Sequence, residues 1–135
     1  MKEIILYYSF TGNTKKYAKK LAKKIGSDIY EITEIRKRSK MNAFIYGCFQ
    51  ALTDRKSKIH PVTVNLNDYE KIIIASPVWA GSPVPAINNI FDILPKGKIV
   101  DVIFVSENGV SNYDKIKEKI KNKKCKVGEI KNIKV

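Results

Sequence analysis

The sequence has no apolar run that approaches the roughly 20 residues of a membrane-spanning helix. Its N-terminal segment, KEIILYY, predicts a buried strand, so we expect no secretory signal there. Cysteine is scarce, and the two cysteines, Cys48 and Cys125, lack the spacing of a metal site. Because no export signal is expected, we expect both to be reduced, partly buried thiols in a cytoplasm. The single histidine, His60, precedes a proline, which favours an extended, exposed residue over a ligand or catalytic residue.

Acidic residues are few relative to basic ones. The 135 residues include 26 Lys and Arg but only 13 Asp and Glu, which gives a net charge of +13. This excess indicates either an acidic or nucleic-acid partner or a compositional bias, because lysines also mark the solvated faces of the helices predicted below. The length suits one compact domain, residues 1–135, and leaves little room for a second.

Hydrophobic patterning predicts strands and helices that alternate along the chain. Continuous or alternating apolar runs predict strands within residues 4–9, 28–33, 69–79, 98–108 and 125–135. Apolar residues at helical spacing predict helices at Asn13–Ile25, 86–94, 111–122 and, within the long connection 34–61, at 42–52. The strand at 28–33 has the polar alternation of an edge, and Ser111 with Asn112 forms a cap-like start for its helix. The alternation predicts a parallel sheet with helices on both faces.

The junction between the first strand and the first helix, SFTGNT, is crowded with small polar side chains. Ser9, Thr11, Asn13 and Thr14 offer side-chain donors, and Gly12 lets the backbone approach a ligand closely. Because a helix N-terminus also presents open N–H groups and partial positive charge, this turn predicts a site for an anion, typically phosphate. It contains neither GxxxxGK[ST] nor GxGxxG, and the alternative is a well-capped helix start without a ligand.

SFTGNT resembles the S/T-x-T-G-x-T phosphate loop of the flavodoxin family, and PVWAG resembles that family's flavin-side loop after the third strand. The order of elements is also similar over most of the chain. The resemblance implies a flavodoxin-like doubly wound α/β fold, with five parallel strands in the order 2-1-3-4-5 and FMN at the switch point. The implied FMN contacts are Ser9, Thr11, Gly12, Asn13 and Thr14 for the phosphate, and Pro77, Val78, Trp79, Ala80, Gly81, Glu107, Asn108, Gly109 and Tyr113 for the ring.

The resemblance also gives roles to three of these residues. Trp79 is implied to stack on the flavin ring, with a core or lid tryptophan as the alternative. Gly81 is implied to allow a peptide flip that offers a carbonyl to the flavin N5–H when the ring gains one electron. Tyr113 either stacks on the other ring face or caps the helix that it begins, and both alternatives stay open.

Two features depart from the family's pattern. The chain is strongly basic, whereas flavodoxins that shuttle electrons are usually acidic, so we expect a redox partner with an acidic docking surface. The helix that usually follows the last strand is missing, which would expose an apolar part of the sheet and favour a homodimer.

The sequence is compatible with three functions. The first is a cytoplasmic FMN protein that carries electrons, because no Cys/His pair, paired carboxylates or Ser/His/Asp set lies near the loops. The second is an FMN-dependent oxidoreductase, such as a quinone reductase or a protoporphyrinogen-oxidase-like enzyme, although no NAD(P)H site is evident. The third is a nucleic-acid-binding module, which we do not expect because the basic residues are spread along the chain without interleaved aromatics.

Overall fold

The central element of the fold is a parallel β-sheet, seen in a computed structural model that describes residues 1–35 and 56–135. The described strands are β1 (Glu3–Tyr7), β2 (Asp28–Glu31), β3 (Lys71–Ser76), β4 (Val78–Trp79), β5 (Ser82–Pro83), β6 (Ile99–Val105) and β7 (Lys126–Ile133). β4 and β5 form a separate antiparallel hairpin, and the other strands form one sheet in the order β2-β1-β3-β6-β7. This confirms the predicted order, with β2 at an edge as expected.

The strands of the sheet divide their side chains between two apolar layers. On β1, Ile4 and Leu6 point into one layer, while Ile5 and Tyr7 point into the other, and all four are buried. Such alternation in a sheet covered on both faces fixes the pairing, since a slip of one residue would exchange the two layers.

Helices cover both faces of the sheet. Those in the described residues are α1 (Asn13–Ile25), α2 (Pro85–Ile93) and α3 (Tyr113–Asn122). α1 packs through Ala18 and Ala22 on one layer, whereas α2 and α3 pack on the opposite layer. Gly26, with φ of 69°, ends α1 as predicted, and the Asn112 side chain caps α3. Within the ranges 1–35 and 56–135, no helix combines the length and the apolar character needed to cross a bilayer.

A charged strip occupies the sheet face beside α1, where we expected exposed apolar surface. Asp101 of β6 is only 8% exposed, and its carboxylate accepts the Glu129 N–H at 2.8 Å and pairs with Lys71 Nζ at 2.9 Å. The hydrogen bond to Asp101 raises the pKa of Lys71. Lys131 pairs with Glu129 at 2.8 Å on the same face. No helix follows β7 in the described residues, as expected. The sheet face beside β7 carries these charged side chains, however, and not the exposed apolar surface on which the expectation of a homodimer was based.

Two residues to which sequence analysis gave no ligand or catalytic role contact neighbouring segments. His60 is exposed, and its Nδ1 lies 2.9 Å from the Thr33 hydroxyl. Cys125 is buried, and its thiol donates to the Pro95 carbonyl at 3.0 Å. Cys48 and the helix predicted at 42–52 lie outside the described residues.

Candidate functional site

Three chain segments meet at one edge of the sheet. They follow β1, β3 and β6, which are neighbouring parallel strands and therefore end at the same edge. The strand order changes direction between β1 and β3, and open α/β sheets bind their ligands at such a switch point. The segments comprise residues 8–12, 77–84 and 106–112.

The first segment leads into α1 and presents open backbone donors. Gly12 precedes the helix with φ of 102°, no side chain caps the helix, and a Cβ added at Gly12 would meet nothing within 4 Å. Ser9 Oγ accepts the Gly12 N–H at 3.1 Å and keeps its own O–H for another acceptor. Thr11 and Asn13 are exposed, whereas Thr14 is buried. The turn therefore has the room and the donors that a phosphate group needs.

A cleft of ≈ 480 Å³ lies between the other two segments. It is lined by Pro77, Val78, Ala80, Gly81, Val105, Ser106, Glu107, Asn108 and Gly109. The structure thus brings together seven of the nine residues predicted to contact a flavin ring. The volume suits a small-molecule site, for which roughly 300–1,000 Å³ is usual. Glu107 is the only ionisable side chain among these lining residues, so the cleft wall holds no acid–base pair of its own.

The β4–β5 hairpin forms one wall of the cleft. Its two turn residues, Ala80 with φ of 51° and Gly81 with φ of 73°, are both left-handed, as in the tight two-residue turns of hairpins. Ala80 is strained there, because a Cβ disfavours positive φ. At Gly81 space matters as well, since a Cβ would lie 3.0 Å from the Ser111 hydroxyl oxygen.

Ser111 ties this hairpin to the segment after β6. Its N–H donates to the Gly81 carbonyl at 3.0 Å, and its hydroxyl donates to the same oxygen at 3.2 Å. The sequence predicts a shared cap of α3 at Ser111 and Asn112, but the Asn112 side chain alone accepts the Lys115 N–H. No local pattern could have revealed a bond to a carbonyl 30 residues earlier in the chain.

A second anchor, which sequence analysis missed, fixes the segment after β6 to β7. The Ser106 hydroxyl donates to Asn132 Oδ1 at 2.6 Å and accepts the Gly109 N–H at 2.8 Å. The Asn132 amide donates back to the Ser106 carbonyl at 3.1 Å. Asn132 gave no signal in the sequence because polar and apolar residues mix along the whole of β7. These bonds fix the cleft wall after β6 to the neighbouring strand β7.

Trp79 is not among the residues that line the cleft. Its ring stands perpendicular to those of Tyr8 and Phe10, with centroid distances of 6.1 and 5.7 Å. The Tyr8 hydroxyl in turn donates to the Glu34 carboxylate at 2.6 Å. Trp79 therefore joins the hairpin to the segment that leads into α1.

Tyr113 is also absent from the cleft lining. It is the first residue of α3, and its ring stacks on Phe104 of β6 with 6.4 Å between centroids and 24° between planes. Phe104 is fully buried, so this contact connects the start of α3 to the core.

Comparison with known proteins identifies one family and a set of similar structures. A family model described as flavodoxin matches residues 2–134. The FMN complex of a flavoprotein from Lactobacillus acidophilus NCFM has a TM-score of 0.81 and 24% identity, over 97% of this chain and 92% of that one. Oxidised flavodoxin 1 from Bacillus cereus has a TM-score of 0.61 and 19% identity, over 100% of this chain and 85% of that one. At identities this low, the likeness shows the fold alone. No curated protein sequence matches this chain.

Proposed function

This chain belongs to the flavodoxin family, and we propose that it is a single-domain protein that binds FMN noncovalently and carries electrons in the cytoplasm. One observation carries the proposal: the open start of α1 follows β1 and the ≈ 480 Å³ cleft follows β3 and β6, so both lie at the edge of the sheet where the strand order reverses. FMN would supply reversible electron transfer, while the protein binds, orients and shields it. The cytoplasmic location is part of this proposal, and the expectation of reduced thiols at Cys48 and Cys125 depends on it.

We assign the phosphate of FMN to the turn that precedes α1. The side chains of Ser9, Thr11 and Asn13 would donate to its oxygens, together with the first N–H groups of the helix. Because Thr14 is buried, its contribution is assigned to its backbone N–H. Gly12 contributes open space rather than a donor, since its N–H already bonds to Ser9.

We assign the flavin ring to the cleft between the hairpin and the segment after β6. Pro77, Val78 and Ala80 would form one wall, and the backbone of Glu107, Asn108 and Gly109 the other. Trp79 and Tyr113 are assigned to the margin of the site, because packing against neighbouring aromatic rings already holds both of them. The Gly81 carbonyl is bonded to Ser111, so turning it toward the flavin would require both of these bonds to break.

Titration of the flavin-free protein with FMN and with riboflavin tests these assignments. Flavin fluorescence and the fluorescence of Trp79, the single tryptophan, both report binding. We expect one flavin per chain and at least about a hundredfold preference for FMN, because only FMN carries the phosphate that the turn would bind. Similar affinities for the two flavins contradict the phosphate assignment, and binding of neither contradicts the function.

A matched pair of variants sharpens this test. Thr11→Ala is expected to weaken FMN binding several-fold while leaving riboflavin binding unchanged, because it removes a phosphate donor only. Thr63→Ala also removes a threonine hydroxyl, but one that contacts Tyr30 outside the proposed site, and should change neither affinity.

The alternative, an FMN-dependent oxidoreductase, predicts a different result with the loaded protein. An electron carrier should oxidise NADH or NADPH negligibly without a reductase, whereas sustained oxidation favours the enzyme. We also propose that the redox partner of the carrier presents an acidic surface, in keeping with the net charge of +13. The homodimer stays a prediction from the sequence.

A further inference from the structure

Lysine makes up most of the solvent-facing side of α1, with Asn13 and Ile25 exposed at its two ends. Its six lysines are Lys15, Lys16, Lys19, Lys20, Lys23 and Lys24. The opposite side of the helix, with Thr14, Ala18 and Ala22, is buried against the sheet. The ion pairs found within the described residues involve other lysines, so none of these six ammonium groups is neutralised by a carboxylate there.

This charge exceeds what a general bias toward lysine produces. α3 is also rich in lysine, but it includes Asp114 and Glu118, whereas α1 contains no acidic residue. Lysines four residues apart, such as Lys16 and Lys20, lie side by side on the helix surface and repel each other. The helix therefore carries an unfavourable charge pattern that its packing does not need.

The position of the lysines relates them to the proposed cofactor site. α1 starts at the turn to which we assign the FMN phosphate, so the lysine face begins beside that site. It extends from Lys15 to Lys24, which is about 14 Å at the usual rise of a helix. A partner that contacts the first turn of this face, at Lys15 and Lys16, would lie beside the turn assigned to the phosphate.

We propose that this lysine face of α1 is the docking surface for the acidic surface of a protein redox partner, an inference that rests on the proposed function. Charge complementarity selects the partner and speeds its approach. The exposed side chains between Lys15 and Lys24 are all lysines, while Tyr17 and Leu21 are partly buried against the sheet. Ile25 at the end of the helix is the one exposed apolar side chain of α1, which is too little to anchor a helix in a bilayer. The face offers no arginine, amide or exposed aromatic side chain to read bases. An acidic protein therefore fits this surface better than a nucleic acid or a membrane.

Association of the flavin-free protein with two acidic probes tests the inference. The probes are an acidic [2Fe–2S] ferredoxin and poly-L-glutamate, each immobilised for kinetic measurement. Two variants each lose three positive charges: K19Q/K20Q/K23Q on α1, and K117Q/K121Q/K126Q on α3 and β7, all at exposed positions. At low ionic strength we expect association roughly tenfold slower for the α1 variant, and within about twofold of the unmodified protein for the other. The difference in association rate between the two variants should disappear at about 0.5 M salt, where charges are screened over a few ångströms.

Two results would overturn the inference. Equal slowing of both variants would mean that net charge, and not the lysine face, governs association. Tighter binding to duplex DNA or to phosphatidylserine vesicles than to either acidic probe, lost in the α1 variant, would assign the face to another partner. Because the flavin-free protein is used, a failure to bind FMN in the separate titration would contradict the electron-carrier proposal without altering this result.

Discussion

At the scale of single residues, the Tyr69 hydroxyl shows how one hydrogen bond makes stability depend on pH. Tyr69 is 6% exposed, and it donates to the Asp28 carboxylate at 2.6 Å, which ties the segment before β3 to the first residue of β2. This hydrogen bond, with burial, raises the pKa of Tyr69 from 10.0 to about 12. Since the folded state holds the proton more tightly, the bond stabilises the fold fully below pH 10, and its contribution is lost as the pH rises through about 12.

Tyr69→Phe is therefore expected to lower the free energy of unfolding by about 1–2 kcal/mol near neutral pH, because Asp28 loses a hydrogen-bond donor. The difference from the unmodified protein should shrink above pH 10 and nearly vanish by about pH 12. Urea unfolding of both proteins between about pH 8 and 12 measures it. A difference that stays constant over this range would contradict the assignment.

Gly128 of β7 is required by space and not by its backbone angle. A Cβ at this position would lie 1.9 Å from the Asp101 carboxylate and 3.1 Å from the Val100 carbonyl. Gly128→Ala is therefore expected to lower the free energy of unfolding by about 2–3 kcal/mol, because it displaces the buried Asp101 from its partners. Gly97→Ala serves as the control: its φ is 80° but nothing lies within 4 Å, so about 1 kcal/mol is expected. A loss in Gly128→Ala no larger than that in Gly97→Ala, both measured by urea unfolding, would contradict the contact with Asp101 as its cause.

At the scale of whole elements, α1 and α3 end in the same conformation with different residues. Gly26 follows α1 with φ of 69°, whereas the corresponding left-handed residue after α3 is Lys124, with φ of 57°. Lys124→Gly is expected to raise the free energy of unfolding by about 1 kcal/mol, because glycine adopts positive φ without strain. Gly26→Lys should lower it by a similar amount. Thermal and urea unfolding measure both changes, and a loss of stability in Lys124→Gly would contradict this view of the α3 terminus.

Most helices and strands could be predicted because each has a hydrophobic pattern of its own. Their ends could be predicted only where a neighbouring residue in the sequence, such as a glycine, ends the element. α1 has its predicted bounds, since glycines stand on both sides of its apolar stripe. The strand predicted at 4–9 ends at Tyr7, because Ser9 leaves the sheet to bond within the turn before α1. The strand predicted at 98–108 ends at Val105, because Ser106 bonds to Asn132 on a strand that lies far along the chain.

The candidate site could be predicted as segments, because each segment follows a strand at the switch edge. Its internal contacts could not be predicted, because they join residues that are distant in sequence. The bond from Ser111 to Gly81 and the packing of Trp79 against Phe10 both depend on how two segments meet. The sequence likewise did not reveal that charges, and not apolar side chains, occupy the strip around Asp101.

At the scale of the whole molecule, the net charge of +13 is expected to speed association with acidic partners and to lower the free energy of unfolding through repulsion between like charges. α1 contains four pairs of lysines spaced four residues apart, formed by Lys15, Lys16, Lys19, Lys20, Lys23 and Lys24. Each like-charged pair on a helix costs about 0.2–0.5 kcal/mol at low salt. A protein that keeps such a helix gives up stability for a surface that attracts acidic partners, and substitutions on α1 can separate the two effects.

Lys20→Glu tests this opposition directly, because it places a carboxylate between Lys16 and Lys24. The free energy of unfolding of the flavin-free protein is expected to rise by about 1 kcal/mol at low ionic strength, since two repulsions become attractions. The gain should fall to nearly zero at about 1 M salt, and Lys20→Gln should give about half of it. The same Lys20→Glu variant should associate more slowly with the acidic probes. A gain in the free energy of unfolding that persists at high salt would come from helix propensity instead of charge. Unchanged association with the acidic probes would show that Lys20 destabilises the helix without contributing to docking.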